Sequence, residues 1–109
     1  MTAKEARVKS DTVRSAQVQA AKKVALSEWE QSLIPAIEKV CKTGGYTANY
    51  IWGIDFFKDA QVAPCDFQDA LISIFQLYGY KAEVHCDYFG NASVKQIRAH
   101  LSWKGEGNE

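Results

Sequence analysis

The last quarter of the chain leaves the fewest choices of fold. Over residues 80–87, Tyr80, Ala82, Val84 and Cys86 alternate with Lys81, Glu83, His85 and Asp87. The alternation returns over residues 96–103, with Ile97, Ala99, Leu101 and Trp103 set against Gln96, Arg98, His100 and Ser102. A period of two marks a half-buried strand, because successive side chains leave opposite faces of the pleat. Gly90-Asn91, between the runs, suits a two-residue type II′ turn. Closing a hairpin there sets Val84 opposite Ile97, Ala82 opposite Ala99 and Tyr80 opposite Leu101, and on the other face Glu83 opposite Arg98. Val94 breaks the parity beside the turn, which predicts a bulge or a frayed tip.

A third alternating run, residues 46–52, predicts another strand with Tyr46, Ala48, Tyr50 and Trp52 on one side. Pro64 fits the first turn of a helix. Phe67, Ala70, Leu71, Ile74, Leu77 and Tyr78 give that helix one apolar face. Gly79 should take the left-handed position after it and fold Tyr80 back. Residues 53–63 show no period and read as a connecting loop around Phe56-Phe57.

The N-terminal part is helical in composition. Thr2-Ala3-Lys4-Glu5 is a capping box, and residues 3–23 are rich in Ala, Lys, Gln and Arg, which favour helix. The apolar stripe there is thin: Ala6, Val13, Ala16, Ala20 and Val24. A second box, Ser27-Glu28-Trp29-Glu30, opens a stronger stripe of Leu26, Trp29, Leu33, Ile37 and Val40, with Cys41 beside it. Pro35 removes one hydrogen bond to the Gln31 carbonyl and predicts a kink. Gly44-Gly45 ends the segment. The two boxes favour a break near Ser27 and the composition favours continuity, so residues 3–43 are one bent helix or two.

The order α-(α)-β-α-β-β predicts one α+β domain over residues 1–109. Long N-terminal helical segments precede a β-α-β-β unit whose three-stranded antiparallel sheet is covered on one face by helices. Residues 1–25 read as a projecting oligomerisation helix and residues 105–109 as a polar tail. With 109 residues, 47% of them apolar, the chain can bury a core of its own. Thirteen basic and thirteen acidic residues give zero net charge, without the basic excess that phosphate neutralisation demands of a duplex binder. No apolar run approaches a membrane span, and Met1-Thr2-Ala3-Lys4-Glu5 carries no apolar signal region. The sequence therefore predicts a cytoplasmic protein. Cys41, Cys65 and Cys86, odd in number and widely spaced, are expected as buried thiols there.

Several residues are candidates for chemistry. Lys81, His85, Arg98 and His100 fall on the outward face of the predicted hairpin and make a modestly basic stripe, suited to a phosphate or nucleotide. The competing reading is a solvated sheet face with cross-strand ion pairs. Phe56 and Phe57 either pack beneath their loop or form an exposed contact surface. Val13, Ala16 and Ala20 line the thin stripe of the first helix, where small residues allow close approach of a second helix. Cys86 with His85 and His100 lacks the paired spacing of a zinc site, so no metal is expected. Cys65-Asp66 at a helix start is the one hint of an activated thiol, and no catalytic residue is assigned from it. Gly44-Gly45 follows a helix rather than preceding one, which makes it a cap and not a phosphate loop.

Three features together resemble a group of small proteins encoded by tailed bacteriophages and prophages. They are the helix start Thr2-Ala3-Lys4-Glu5-Ala6, the helix with Ile37-Glu38-Lys39 ending at glycine, and the close Leu77-Tyr78-Gly79-Tyr80-Lys81-Ala82-Glu83-Val84 with Leu101-Ser102-Trp103. Pro35 and the aromatic insertion over residues 54–63 depart from that pattern. The resemblance implies a phage or prophage origin and the α+β fold, and it carries no catalytic residues across. Small phage proteins of this kind are often accessory factors that bind host proteins or signalling molecules. The expectation is a non-enzymatic accessory protein, without cofactor, working as a homo-oligomer in the host cytoplasm. An anti-defence role would have it sequester a small anionic or nucleotide ligand or block a host protein. The alternatives are a virion structural or assembly protein and a nucleic-acid-binding protein that uses Arg14, Lys22 and Lys23.

Overall fold

The computed structural model describes residues 1–105. The tail over residues 106–109 lies outside the described residues. From residue 3 to residue 42 the backbone never leaves helix. α1 (Ala3–Glu28) begins where Thr2 Oγ1 accepts from the Glu5 amide at 3.2 Å. A π turn (Trp29–Leu33) then leads directly into α2 (Ile34–Lys42). Continuity therefore prevails over a break at Ser27, and the reason lies at Pro35. In a regular α-helix the Pro35 ring would meet the carbonyl of Gln31. The wider π turn just before it opens the ladder there, with the Ile34 N–H donating to the Trp29 carbonyl.

About forty helical residues at ~1.5 Å rise span about 60 Å. The molecule is 60 Å along its longest axis, so this helix sets its length. The face that α1 buries differs from the stripe read in the sequence. Ala21 and Ala25 are fully buried and Val18 is half-buried, whereas Ala6, Val13, Ala16 and Ala20 stay exposed. Of that stripe only Val24 packs against the core. Arg14 reaches across to the next helical layer, as described below. Of the second stripe, Trp29, Leu33 and Ile37 are buried as their spacing requires, but Leu26 and Cys41 are exposed.

The helix stop at Gly44-Gly45 forms as expected. Gly44 has φ +80°, its N–H donates to the Cys41 carbonyl, and the Gly45 N–H donates to the Val40 carbonyl. β1 (Thr47–Gly53) follows, then α3 (Ile54–Ala60) and α4 (Pro64–Leu77). Residues 53–63 are thus mostly helix and not loop. α3 has seven residues and fully buries one of them, Phe57, so no period could show in its sequence. Gln61 closes it with φ +57°. α4 ends with the same pair of capping bonds as α2: Gly79 N–H to the Gln76 carbonyl and Tyr80 N–H to the Phe75 carbonyl, with Gly79 at φ +79°.

β2 (Lys81–Tyr88) and β3 (Val94–Ser102) complete one antiparallel sheet of order β1-β3-β2. The faces are as predicted, but the register is shifted by two. Val84 lies opposite Ala99, Ala82 opposite Leu101, Cys86 opposite Ile97 and His85 opposite Arg98. Two local events add one residue each. The loop is Gly90-Asn91-Ala92, closed by the Phe89 N–H donating to the Ser93 carbonyl at 2.8 Å, with Ala92 left-handed at φ +66°. Asn91 Oδ1 holds it by accepting from Ser93 N–H and Oγ. Then Lys95 bulges, because Tyr88 pairs with Val94 while Asp87 pairs with Gln96. An even shift keeps every side chain on its own face.

The helices cover the apolar face of the sheet. Phe67, fully buried, receives the rings of Trp52, Phe56 and Phe57 at 5.1, 5.3 and 5.4 Å between centroids. Trp29 stacks on Tyr78 and meets Tyr80 edge-on, which ties the π turn to the end of α4. Glu28 Oε1 accepts from Trp52 Nε1 at 2.8 Å and from Ser32 Oγ at 3.1 Å, so one carboxylate oxygen joins α1, the π turn and β1. Replacing Glu28 with Ala leaves the indole N–H of the buried Trp52 without that acceptor. Urea unfolding of Glu28→Ala should show a loss of about 1–3 kcal/mol, and Glu28→Gln, which keeps a carbonyl oxygen, a smaller one.

Candidate sheet-face binding site

The outward face of the sheet is built in rows of three, because β3 pairs with a neighbour on each side. Reading β1, β3 and β2 across, the rows are Gly53–Gln96–Asp87, Ile51–Arg98–His85, Asn49–His100–Glu83 and Thr47–Ser102–Lys81. The middle two rows surround a shallow depression of about 200 Å³ lined by Asn49, Ile51, His85, Arg98 and His100. Three of the four residues read as ligand-binding in the sequence therefore converge. Lys81 stands apart on the row beyond His100, at the opposite end of β2 from Asp87.

The stripe is less basic than its sequence suggests. Arg98 Nε and Nη2 donate to Asp87 Oδ2 and Oδ1 at 2.6 and 3.1 Å, a bidentate pair that orients the guanidinium. Gln96 Nε2 also donates to Asp87 Oδ2, at 2.7 Å. These hydrogen bonds, from Arg98 first and Gln96 second, lower the Asp87 carboxyl to about 2. His85 Nε2 lies 3.5 Å from Glu83 Oε2. On the far side His100 Nδ1 meets Asn49 Oδ1. With that oxygen accepting, Nδ1 carries a proton, and Nε2 donates to an anion when the ring holds a second proton. Arg98 keeps Nη1, which none of these bonds engages. Asn49 and Ile51 were invisible to sequence reasoning as site residues, since their place depends on β3 sitting between β1 and β2.

The residues read as an interface divide. Phe57 is 4% exposed and Phe56 half-buried, both meeting Phe67 edge-on in the core cluster, so the pair is turned inward and not displayed as an exposed contact surface. Burying two rings is worth more than leaving them in water, and α3 supplies the turn that lets both reach inward. Val13, Ala16 and Ala20 are exposed on α1. The cysteines also differ from expectation: Cys41 and Cys65 are exposed and Cys86 is half-buried. Cys65 and Asp66 both lie in the first turn of α4, but Asp66 serves as a clamp. Its carboxylate accepts from Arg14 Nη1 and Nη2 at 3.0 and 2.9 Å, and the Arg14 hydrogen bonds lower its pKa. Arg14 is thereby engaged within the chain, which removes one of the three cations of the nucleic-acid reading. Among the described residues no helix is long and apolar enough to cross a membrane, and no three His, Cys, Asp or Glu side chains gather as metal ligands.

Comparison with protein-family models, with curated proteins and with solved structures finds no match to this chain.

The Asp87 pair makes a pH signature. Its folded pKa lies below the ordinary carboxylate value, so the pair supports the fold above about pH 3.9 and that support is lost as pH falls through about 2. Titration of the Asp87 side chain by NMR should give a midpoint near the depressed value. In Arg98→Ala the midpoint should climb back toward about 3.9.

Proposed function

We propose that the outward sheet face binds a small anionic ligand through a phosphate group, and that the chain acts by binding and not by turnover. The supporting observation is the convergence of Arg98, His85 and His100 on one depression, with His100 oriented by Asn49 and Arg98 by Asp87. Orientation in advance lowers the cost of binding. At about 200 Å³ the depression is smaller than the ~300–1,000 Å³ of drug-sized pockets. It suits a phosphate with part of a sugar, the remainder of a nucleotide lying over Ile51 or in solvent. Asp87 limits affinity, because it neutralises the guanidinium that the ligand would use.

The resemblance to phage accessory proteins supplies the setting of this proposal: a phage or prophage protein of the bacterial host cytoplasm that sequesters an anionic signal as an anti-defence measure. Self-association belongs to the same reading. The first seventeen residues are exposed throughout, and of these Arg14 makes the side-chain bridge to α4.

Titration of the ¹⁵N-labelled protein with inorganic phosphate and with a nucleoside monophosphate should shift the amides of Asn49, His85, Arg98 and His100. Arg98→Ala should weaken binding about tenfold or more, from the ~1.5–3 kcal/mol of a charged hydrogen bond. Asp87→Asn should strengthen it. Amides that stay still at millimolar ligand, or an affinity indifferent to Arg98→Ala, would remove the sheet face as a binding site.

A further inference from the structure

A groove between α1 and α4 is lined mostly by apolar side chains. It encloses about 250 Å³ between Leu26, Ala70, Ile74 and Leu77, with Lys22 and Ser73 as its polar members. Leu26 is 45% and Leu77 74% exposed, a poor use of two leucines in a chain that acts alone. Two more large apolar residues on α1 stand in water, Val13 at 57% and Val8 at 58% exposed, and of the two Val8 shares a face with Leu26. It precedes Leu26 by eighteen residues, or about five turns at ~3.6 residues each, so both lie on one face of the helix.

We infer that this groove receives α1 of a second copy of the chain, running antiparallel, with Val8 of each copy seated against Leu26 and Leu77 of the other. The assignment rests on the reading of the chain as self-associating and gives that reading a geometry. Its basis is a self-complementary spacing. Val8, Thr12, Ser15, Gln19, Lys22 and Leu26 follow one another in alternating steps of four and three, the row that antiparallel helices bring together. The row is symmetric about residue 17. A two-fold axis there pairs Val8 with Leu26, Thr12 with Lys22 and Ser15 with Gln19, so every contact occurs twice and the interface closes on itself. The polar residues fall at the centre, each short one (Thr12, Ser15) opposite a long one (Lys22, Gln19), and the apolar ones fall at the two grooves.

Charge agrees with the same register. Asp11, on the flank of the row, stands opposite residue 23 of the partner helix, which puts it within a residue of the partner's Lys22 position on the same flank. Lys22 already borders the groove, so each copy contributes one acid and one base to two equivalent ion pairs. α4 sits along α1 from Arg14 onward. The two domains then lie on the same side of the helix pair, displaced along it in opposite directions, and leave the sheet faces open.

Sedimentation velocity over a concentration series decides the matter. The wild-type chain should show a monomer–dimer equilibrium. Val8→Glu and Leu26→Glu should each weaken it at least tenfold with an unchanged circular dichroism spectrum, and Ala20→Glu, about 120° around the helix from the row, should leave it intact. Asp11→Lys and Lys22→Asp should each weaken the dimer, and combining them should restore it. A dimer broken by Ala20→Glu and indifferent to Val8→Glu would overturn this geometry while self-association stands. A monomer at every concentration would overturn both, with phosphate binding at the sheet still tested on its own.

Discussion

Phe67 is the point on which the arrangement turns. Its ring has no exposed surface and meets Trp52, Phe56 and Phe57 edge-on. Each such pair adds about 0.5–1.5 kcal/mol beyond the burial of its area. The pairs also transmit position. Phe56 and Phe57 hold α3 against α4, and Trp52 holds β1 beneath it. Because the Trp52 indole also donates to Glu28, β1 is located against α1 and α4 at once. The outward side chains of β1 inherit that position. Asn49 can orient His100, and Ile51 can flank Arg98, because Trp52 fixes the strand from the opposite face.

Local chemistry was legible wherever one residue decides the backbone. Thr2 starts a helix, Pro64 starts another, and Gly44 and Gly79 end two with the same pair of carbonyl contacts. Parity was equally legible, since a strand that buries one face has no freedom to turn over. What could not be read was anything set by a distance between elements. The hairpin register depended on Ala92 entering a left-handed conformation that alanine rarely adopts, and on Lys95 bulging. Each adds one residue, so the two errors left the faces right and moved every partner. α3 was hidden for another reason: a two-turn helix that fully buries only Phe57 shows no period. For the candidate site, the hairpin residues could be named in advance, but Asn49 and Ile51 required the strand order. Asp87 was visible as an outward carboxylate and not as the partner of Arg98, because the shifted register created that contact.

The electrostatics of the sheet face follow from the same shift. In the expected register Arg98 would face Glu83. In the observed one it faces His85 and reaches diagonally to Asp87, which frees Glu83 to approach His85. Of the two edge strands, β2 thereby presents charge, whereas β1 carries no charged residue. An ion pair on an exposed face adds little stability, so its main consequence here is directional. The guanidinium is held in one orientation by Asp87, beside an imidazole whose Nδ1 meets Asn49.

α1 joins two halves that obey different rules. From Val18 onward it is specified by packing: Ala21 and Ala25 are fully buried, and their small size lets α4 approach. A larger side chain at either position would force the helices apart at a cost of about 1–3 kcal/mol. Before Val18 the helix has no core to cover, and an isolated stretch of that length is marginal in water. It persists because the buried half supplies the nucleus, so each further turn needs only propagation, and because Arg14 anchors the middle to Asp66. Propensity alone would fill such a stretch with Ala, Lys, Glu, Gln and Arg. Val8 and Val13 are poorer helix formers than alanine, by up to ~0.7 kcal/mol each, and both stand in water. Within one chain that cost gains no burial in return.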